Sequence, residues 1–142
     1  MQFDLILLSG FIGTSLMTLF SYIMSVILKD HFREPQLLNQ LINGSSFIPF
    51  HVNRFSLTGW IIHFAIGFAF AFLFNLAVNL WAVDANLLNG LLFGFVAGIA
   101  GITGWKIMFR LVDYPPEISL NSFLFQLIIA HLIFGAGLIL AY

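Results

Sequence analysis

The chain runs to 142 residues, of which 61% are hydrophobic and only 8% charged, with a mean hydropathy of +1.03. A water-soluble domain carries roughly a quarter of its residues charged, so five basic and six acidic side chains cannot clothe a water-facing surface, and the bilayer is the expected solvent. A net charge of −1 lacks the basic footprint of a nucleic-acid binder, and with no cysteine there is no disulfide, thiolate nucleophile or thiolate metal site.

A membrane-crossing helix needs about 20 consecutive, mostly apolar residues. Four stretches qualify, 5–28, 57–80, 87–109 and 120–141, and removing them leaves no soluble domain. Lipid offers the backbone no hydrogen bonds, so these spans are expected as helices. Barrel strands would be about half as long and would alternate strictly. The first span lies in MQFDLILLSGFIGTSLMTLFSYIMSVILKD, where Lys29 follows the apolar run instead of preceding it. That order is unlike a secretory signal and predicts a retained span. Thr14, Thr18, Ser21 and Ser25 recur along it.

In the following loop, EPQLLNQLING has Pro35 suited to a first helical turn and Gly44 suited to a C-terminal cap. Leu37, Leu38, Leu41 and Ile42 share one face, which predicts a short helix lying on the membrane surface. An ordered loop packed over the end of the bundle is the alternative. SSFIPFHVNRFS then returns the chain in extended form.

The second span contains TGWIIHFAIGFAFAFLF, in which Gly59, His63, Gly67, Ala71, Asn75 and Asn79 recur every four residues. After the Trp81–Asn86 turn, the third span carries Gly90, Gly94, Gly98 and Gly101. VDYPPEIS reads as a turn into the fourth span, where LIIAHLIFGAGL places His131 four residues before Gly135. Helices in lipid associate through small residues and through hydrogen bonds between polar ones. The stripes on the first three spans are therefore read as packing seams, and His63 as facing protein.

Lys29, Arg33, Arg54, Lys106 and Arg110 all fall at one end of the spans, and the opposite end has no Lys or Arg. The positive-inside rule then puts the long loops in the cytoplasm and both termini outside. Two matches suggest an internal duplication of 1–80 by 85–142. KDHFR and KIMFR share K-x-x-F-R, and His63 and His131 share H-x-x-x-G. The two hairpins would run the same way, as a parallel repeat, with His63 and His131 at similar depth in the cytoplasmic half and facing each other.

Ionisable groups within a membrane are expensive and usually have a partner or a task. Three readings of the pair stand open. In the first, His63 and His131 bond to Thr14, Thr18, Asn75, Gln126 or a carbonyl and fix helix register. In the second, they are the axial ligands of a b-type haem, with Gly67 and Gly135 leaving room for the macrocycle and Arg54, Lys106 or Arg110 meeting the propionates. In the third, they lie on a route for protons, ions or a small solute. Zinc wants three or four ligands, and His31 and His51 are too shallow to join; both are expected on the surface. The acids Asp4, Asp30, Glu34, Asp84, Asp113 and Glu117 all fall at span edges or in loops and read as solvated charge. No G-x-S-x-G, H-E-x-x-H or phosphate loop occurs, so no catalytic set is nominated.

Taken together, SGFIGTSLMTLF, EPQLLNQL, GWIIHFAIGFAFAF, NGLLFGFVAGIAG and HLIFGAGL resemble the YagU-like small inner-membrane proteins of bacteria, over most of the chain. The resemblance implies a four-helix inner-membrane protein with one histidine in each of the second and fourth spans, here His63 and His131. It departs in the charged stretch from Arg110 to Asp113 ahead of Pro115 and Pro116. The expectation is thus an all-α membrane protein forming a single transmembrane domain, 1–142, with four helices in two parallel-repeat hairpins plus a short interfacial helix. Its expected function is non-enzymatic binding or assembly in the bilayer, as a homo-oligomer or as a small subunit of a membrane complex.

Overall fold

The computed structural model describes residues 3–142 and is all helical. Its elements are α1 (Phe3–Ile27), α2 (Glu34–Gly44), α3 (Leu57–Leu80), α4 (Leu87–Leu111) and α5 (Leu120–Ile139). Residues 1 and 2, counted within the expected domain and first repeat, lie outside the described residues. The helices α1, α3, α4 and α5 are long and apolar enough to cross a membrane. At about 1.5 Å per residue, even the 20-residue α5 spans the hydrocarbon thickness of about 30 Å. The protein is an integral membrane bundle.

Local chemistry sets the helix starts. The Ser56 hydroxyl accepts from the Thr58 amide at 3.2 Å, and the Asn86 side chain accepts from the Asn89 amide at 3.0 Å. Each satisfies one of the amide groups a helix start leaves unpaired. Pro35 occupies the first turn of α2, where its missing N–H costs nothing.

In cross-section α4 packs on α5, α5 on α1, and α1 on α3. The middle position makes α5 the most enclosed helix, with ten of its twenty residues buried. Close approach depends on glycine at the crossings. A Cβ on Gly67 would run into the Thr14 side chain, and one on Gly135 would run into the Gly90 carbonyl. In each hairpin, then, the glycine of H-x-x-x-G lies where the two helices touch. The two hairpins are not packed symmetrically, however. A twofold axis relating them would map the α1–α5 seam onto an α3–α4 seam. Instead, α3 and α4 meet through Phe93, whose ring lies 5.2 Å from Phe74 and 6.5 Å from Phe70. Toward the loop end they part, and a Cβ on Gly104 would meet nothing within 4 Å.

The helix expected from Pro35 and Gly44 is present as α2, but its apolar face is not laid on lipid. Leu37, Leu38 and Leu41 are buried with Phe32, Trp105, Phe123, Leu124 and Leu127 in a core at the loop end of the bundle. Asn39 joins α2 to the start of α3: its amide nitrogen donates to the carbonyls of Arg54 and Ser56 at 3.0 and 2.8 Å, and its oxygen accepts from the Gly59 amide at 2.8 Å. Gly59 itself permits the contact, because a Cβ there would strike the Pro35 carbonyl. A second core, with Ile6, Met17, Ala71, Phe74, Ala130, Phe134 and Leu138, fills the half nearer the 81–86 turn.

Two acids read from the sequence as solvated charge tie the loops together instead. The Asp30 carboxylate accepts from the Ser119 amide at 2.9 Å and the His31 amide at 2.7 Å, linking the end of α1 to the start of α5. Partial desolvation pushes its pKa up, but these hydrogen bonds outweigh that and hold it below the usual carboxylate range. Asp113 accepts from the Ser46 amide at 2.9 Å, and the amides of Asp113 and Tyr114 donate to the Gly44 carbonyl. These bonds join the end of α4 to the end of α2.

Candidate functional site

The parting of α3 and α4 opens a cavity of about 240 Å³ between the two cores. Its floor comes from α1 and α5, its sides from α3 and α4, and its loop end from α2. Most of its wall is apolar, including Met17, Ile66, Phe70, Trp105 and Phe134. Three titratable side chains reach it: Glu34, His63 and His131.

The two imidazoles are held in defined states. The Thr18 hydroxyl donates its one proton to the Thr14 carbonyl at 2.6 Å, so toward His63 Nε2, at 2.8 Å, it is an acceptor. The His63 Nε2–H therefore donates, and in the neutral ring Nδ1 is an acceptor with no hydrogen-bond partner among the described residues. His131 Nδ1 lies 2.8 Å from the Leu127 carbonyl and donates to it. That leaves His131 Nε2 as the acceptor; it stands against α4, 3.1 Å from where a Gly101 Cβ would be. Both rings lie a little past the middle of the helix beside them, toward the loop end: the His131 ring is beside Gly101 of α4, and His63 is beside Thr18 of α1.

Glu34 is the residue that sequence reasoning misplaced. Expected as solvated charge, it is 1% exposed. Its Oε1 accepts from the Ser21 hydroxyl, and its Oε2 is buried with no hydrogen-bond partner among the described residues. Ser21 also lies 3.3 Å from the Gln126 side-chain oxygen, which places the Gln126 amide beside the carboxyl. Burial drives the Glu34 pKa up, only partly opposed by the hydrogen bonds, to about 7. The signal for burial is in the helical period: Glu34 precedes Leu37, Leu38 and Leu41 by three, four and seven residues, so it shares their face. Thr18 and Ser21 are one turn apart on α1, so the His63 and Glu34 anchors stand one turn apart along the cavity wall.

The other residues expected at the site are placed elsewhere. Gly67 and Gly101 border the cavity, but Gly135 is sealed in the α4–α5 crossing with Gly90 and Gly94. Gly98 lies against His131 Cβ and Gly59 against Pro35. Thr14 and Ser21 are buried on α1. Lys106 and Arg110 are exposed, and Arg54 bonds to His31 Nδ1 at 2.9 Å; none of the three borders the cavity. His51 is exposed.

These observations do not fit a haem. A cavity of about 150 Å³ is filled by one benzene ring, and a four-pyrrole macrocycle is several times larger than the 240 Å³ here allows. The glycine expected to make room, Gly135, is already occupied by helix contact, and among the described residues no basic side chain borders the cavity for the propionates. Among the described residues, no three His, Cys, Asp or Glu side chains converge as a metal-ligand set. What the site offers is three unpartnered polar atoms on buried side chains along an apolar pocket. The chain matches no protein-family model, no curated protein and no solved structure, so the reading of this site rests on its own geometry.

Proposed function

We propose that this protein is a non-enzymatic membrane binding protein whose α3–α4 cavity takes a small, apolar-bodied molecule from the bilayer. One observation carries the reading: Glu34 Oε2, His63 Nδ1 and His131 Nε2 all lack a donor and all belong to side chains bordering one apolar cavity. A buried acceptor left unpaired costs about 1–3 kcal/mol, and a ligand that donates to it recovers that cost. An apolar pocket with a few convergent polar groups is the usual form of a small-molecule site.

The geometry favours binding over a through route. Phe70, Phe74, Phe93 and Phe134 stack edge to face across the pocket's inner end. A solute passing toward Asn75 and Tyr142 would have to displace them. The side between α3 and α4 is also the face that a second copy, or another subunit of a membrane complex, would cover. The five basic residues at the α2 end support placing that end in the cytoplasm and both termini outside. The resemblance of the residue pattern to YagU-like proteins is what favours a bacterial inner membrane. The contacts of Gly67 with Thr14 and of Gly135 with Gly90, each within its own hairpin, support the two hairpins having arisen by duplication.

The test uses the single tryptophan that borders the cavity. In a Trp60→Phe/Trp81→Phe background, Trp105 emission is followed in detergent as 3-phenylpropan-1-ol is added. A saturable change is expected. A change no different from that of Trp105 in the unfolded chain overturns the reading.

A further inference from the structure

We infer that the α2 end of the cavity is a subsite for the ammonium group of a lipophilic amine, held by Glu34 in exchange for a proton. The inference rests on the binding reading above and names the ligand class. Its basis is the polarity of the polar groups. Bordering the cavity are the acceptors His63 Nδ1 and His131 Nε2 and the carboxyl of Glu34, which becomes an acceptor of full charge once its proton leaves. A ligand head complementary to them is rich in donors, and an ammonium offers three. Glu34 is 1% exposed, and no Lys or Arg is bonded to its Oε2. A buried carboxylate without a counter-charge is costly, so without a ligand the group holds its proton; a bound cation supplies the missing charge. Below the amine, Met17, Ile66, Phe70 and Phe134 would enclose a hydrocarbon or aromatic body.

The exchange balances simply. Protonated Glu34 and a free ammonium ion become a carboxylate–ammonium pair, and one proton leaves to solvent. The other groups around the carboxyl come from α1, α4 and α5 and from the two histidines. From α1 come the Ser21 hydroxyl and Tyr22, whose ring carries the Arg33 guanidinium at 5.2 Å. From α5 comes Gln126, and α4 presents the uncharged Trp105 and Met108. His63 and His131 border the same cavity. A proton on either would repel the ammonium, so the part of the pH dependence that Glu34→Gln abolishes is the part belonging to Glu34.

The experiment compares 3-phenylpropylamine with 3-phenylpropan-1-ol, which share a body and differ in charge, using Trp105 emission and titration calorimetry. At pH 8 the amine is expected to bind at least about tenfold more tightly than the alcohol. That preference should shrink by about tenfold per pH unit below pH 7. Near pH 6, calorimetry in buffers of different ionisation enthalpy should show close to one proton released per amine bound. Glu34→Gln, checked for an intact thermal transition, should bring the amine down to the affinity of the alcohol. Equal binding of amine and alcohol by the wild-type protein overturns the cation subsite and leaves the binding reading standing. A preference for the amine without proton release, or one that survives Glu34→Gln, also overturns it. Binding of neither probe overturns both.

Discussion

Thr18 accepts a hydrogen bond from His63 at 2.8 Å while donating its own proton to the Thr14 carbonyl at 2.6 Å. The hydroxyl is thus a relay of fixed direction: it bonds back onto its own helix and thereby decides which imidazole nitrogen carries the proton. Thr14, one turn earlier, presents a buried hydroxyl with no partner among the described residues.

The two threonines should respond oppositely to the same change. Thr18→Val keeps the shape but strands the His63 N–H in the interior, and a loss of about 1–3 kcal/mol is expected. Thr14→Val removes a hydroxyl that makes no bond and should leave stability unchanged or slightly raised. Unfolding in mixed micelles compares the variants, and nitrogen NMR of the histidines reads the tautomer. An Nδ1-protonated His63 in the wild type would overturn the assignment.

Glu34 makes stability fall as pH rises. Its carboxyl has a pKa near 4.5 when unfolded and about 7 in the folded protein, so between these values the folded state holds a proton that the unfolded state has released. The stabilisation is complete below pH 4.5 and is lost as pH climbs through 7, at about 1.4 kcal/mol per unit and about 3 kcal/mol in all. Glu34→Gln should remove that slope. The measurement is the difference between wild type and variant at pH 5 and pH 7.5. Parallel curves for the two proteins would show that Glu34 does not hold its proton inside the bundle.

The four long helices were legible because length and hydropathy suffice to specify a span: nothing outside the segment is needed to satisfy its backbone. His63 and His131 were legible as unusual for the same reason. What the sequence did not disclose is the environment created by α2. Leu37, Leu38 and Leu41 have the pattern of a surface helix, and the same pattern serves a helix inserted among the ends of four others. Which one forms depends on contacts with Gly59, Trp105 and Phe123, all outside the segment. Glu34 followed the leucines into the interior, so the error about its burial and the error about the helix are a single error. The parting of α3 from α4 is likewise a property of packing; a repeat pattern led to the expectation of a symmetric bundle.

The crossing of α4 and α5 makes a sharp demand at one position. A Cβ on Gly94 would strike the His131 carbonyl, and neither helix can yield without shifting the other's backbone. Gly94→Ala is expected to destabilise the bundle by about 1–3 kcal/mol, the range for an overpacked core, despite the better helix propensity of alanine. Because the contact is to the residue that carries the imidazole, His131 should also move away from Gly101. A histidine ring resonance unchanged in Gly94→Ala would show that the crossing adapts elsewhere.

Gly104 offers the converse case on the same helix, and it isolates the cavity from the fold. A Cβ there meets nothing within 4 Å, because the position looks into the space between α3 and α4. Gly104→Leu should therefore be accommodated without backbone movement, and replacing glycine in a helix favours the folded state by up to about 1 kcal/mol. Its side chain would occupy space that the proposed ligand needs. The expected result is an unchanged or raised unfolding midpoint together with loss of saturable binding of 3-phenylpropan-1-ol. Gly104→Ala should fall between the two, with stability like that of leucine and only partial loss of binding. Full affinity in Gly104→Leu would place the bound molecule outside this cavity, whereas loss of both stability and binding would show that α4 already touches α3 at this point.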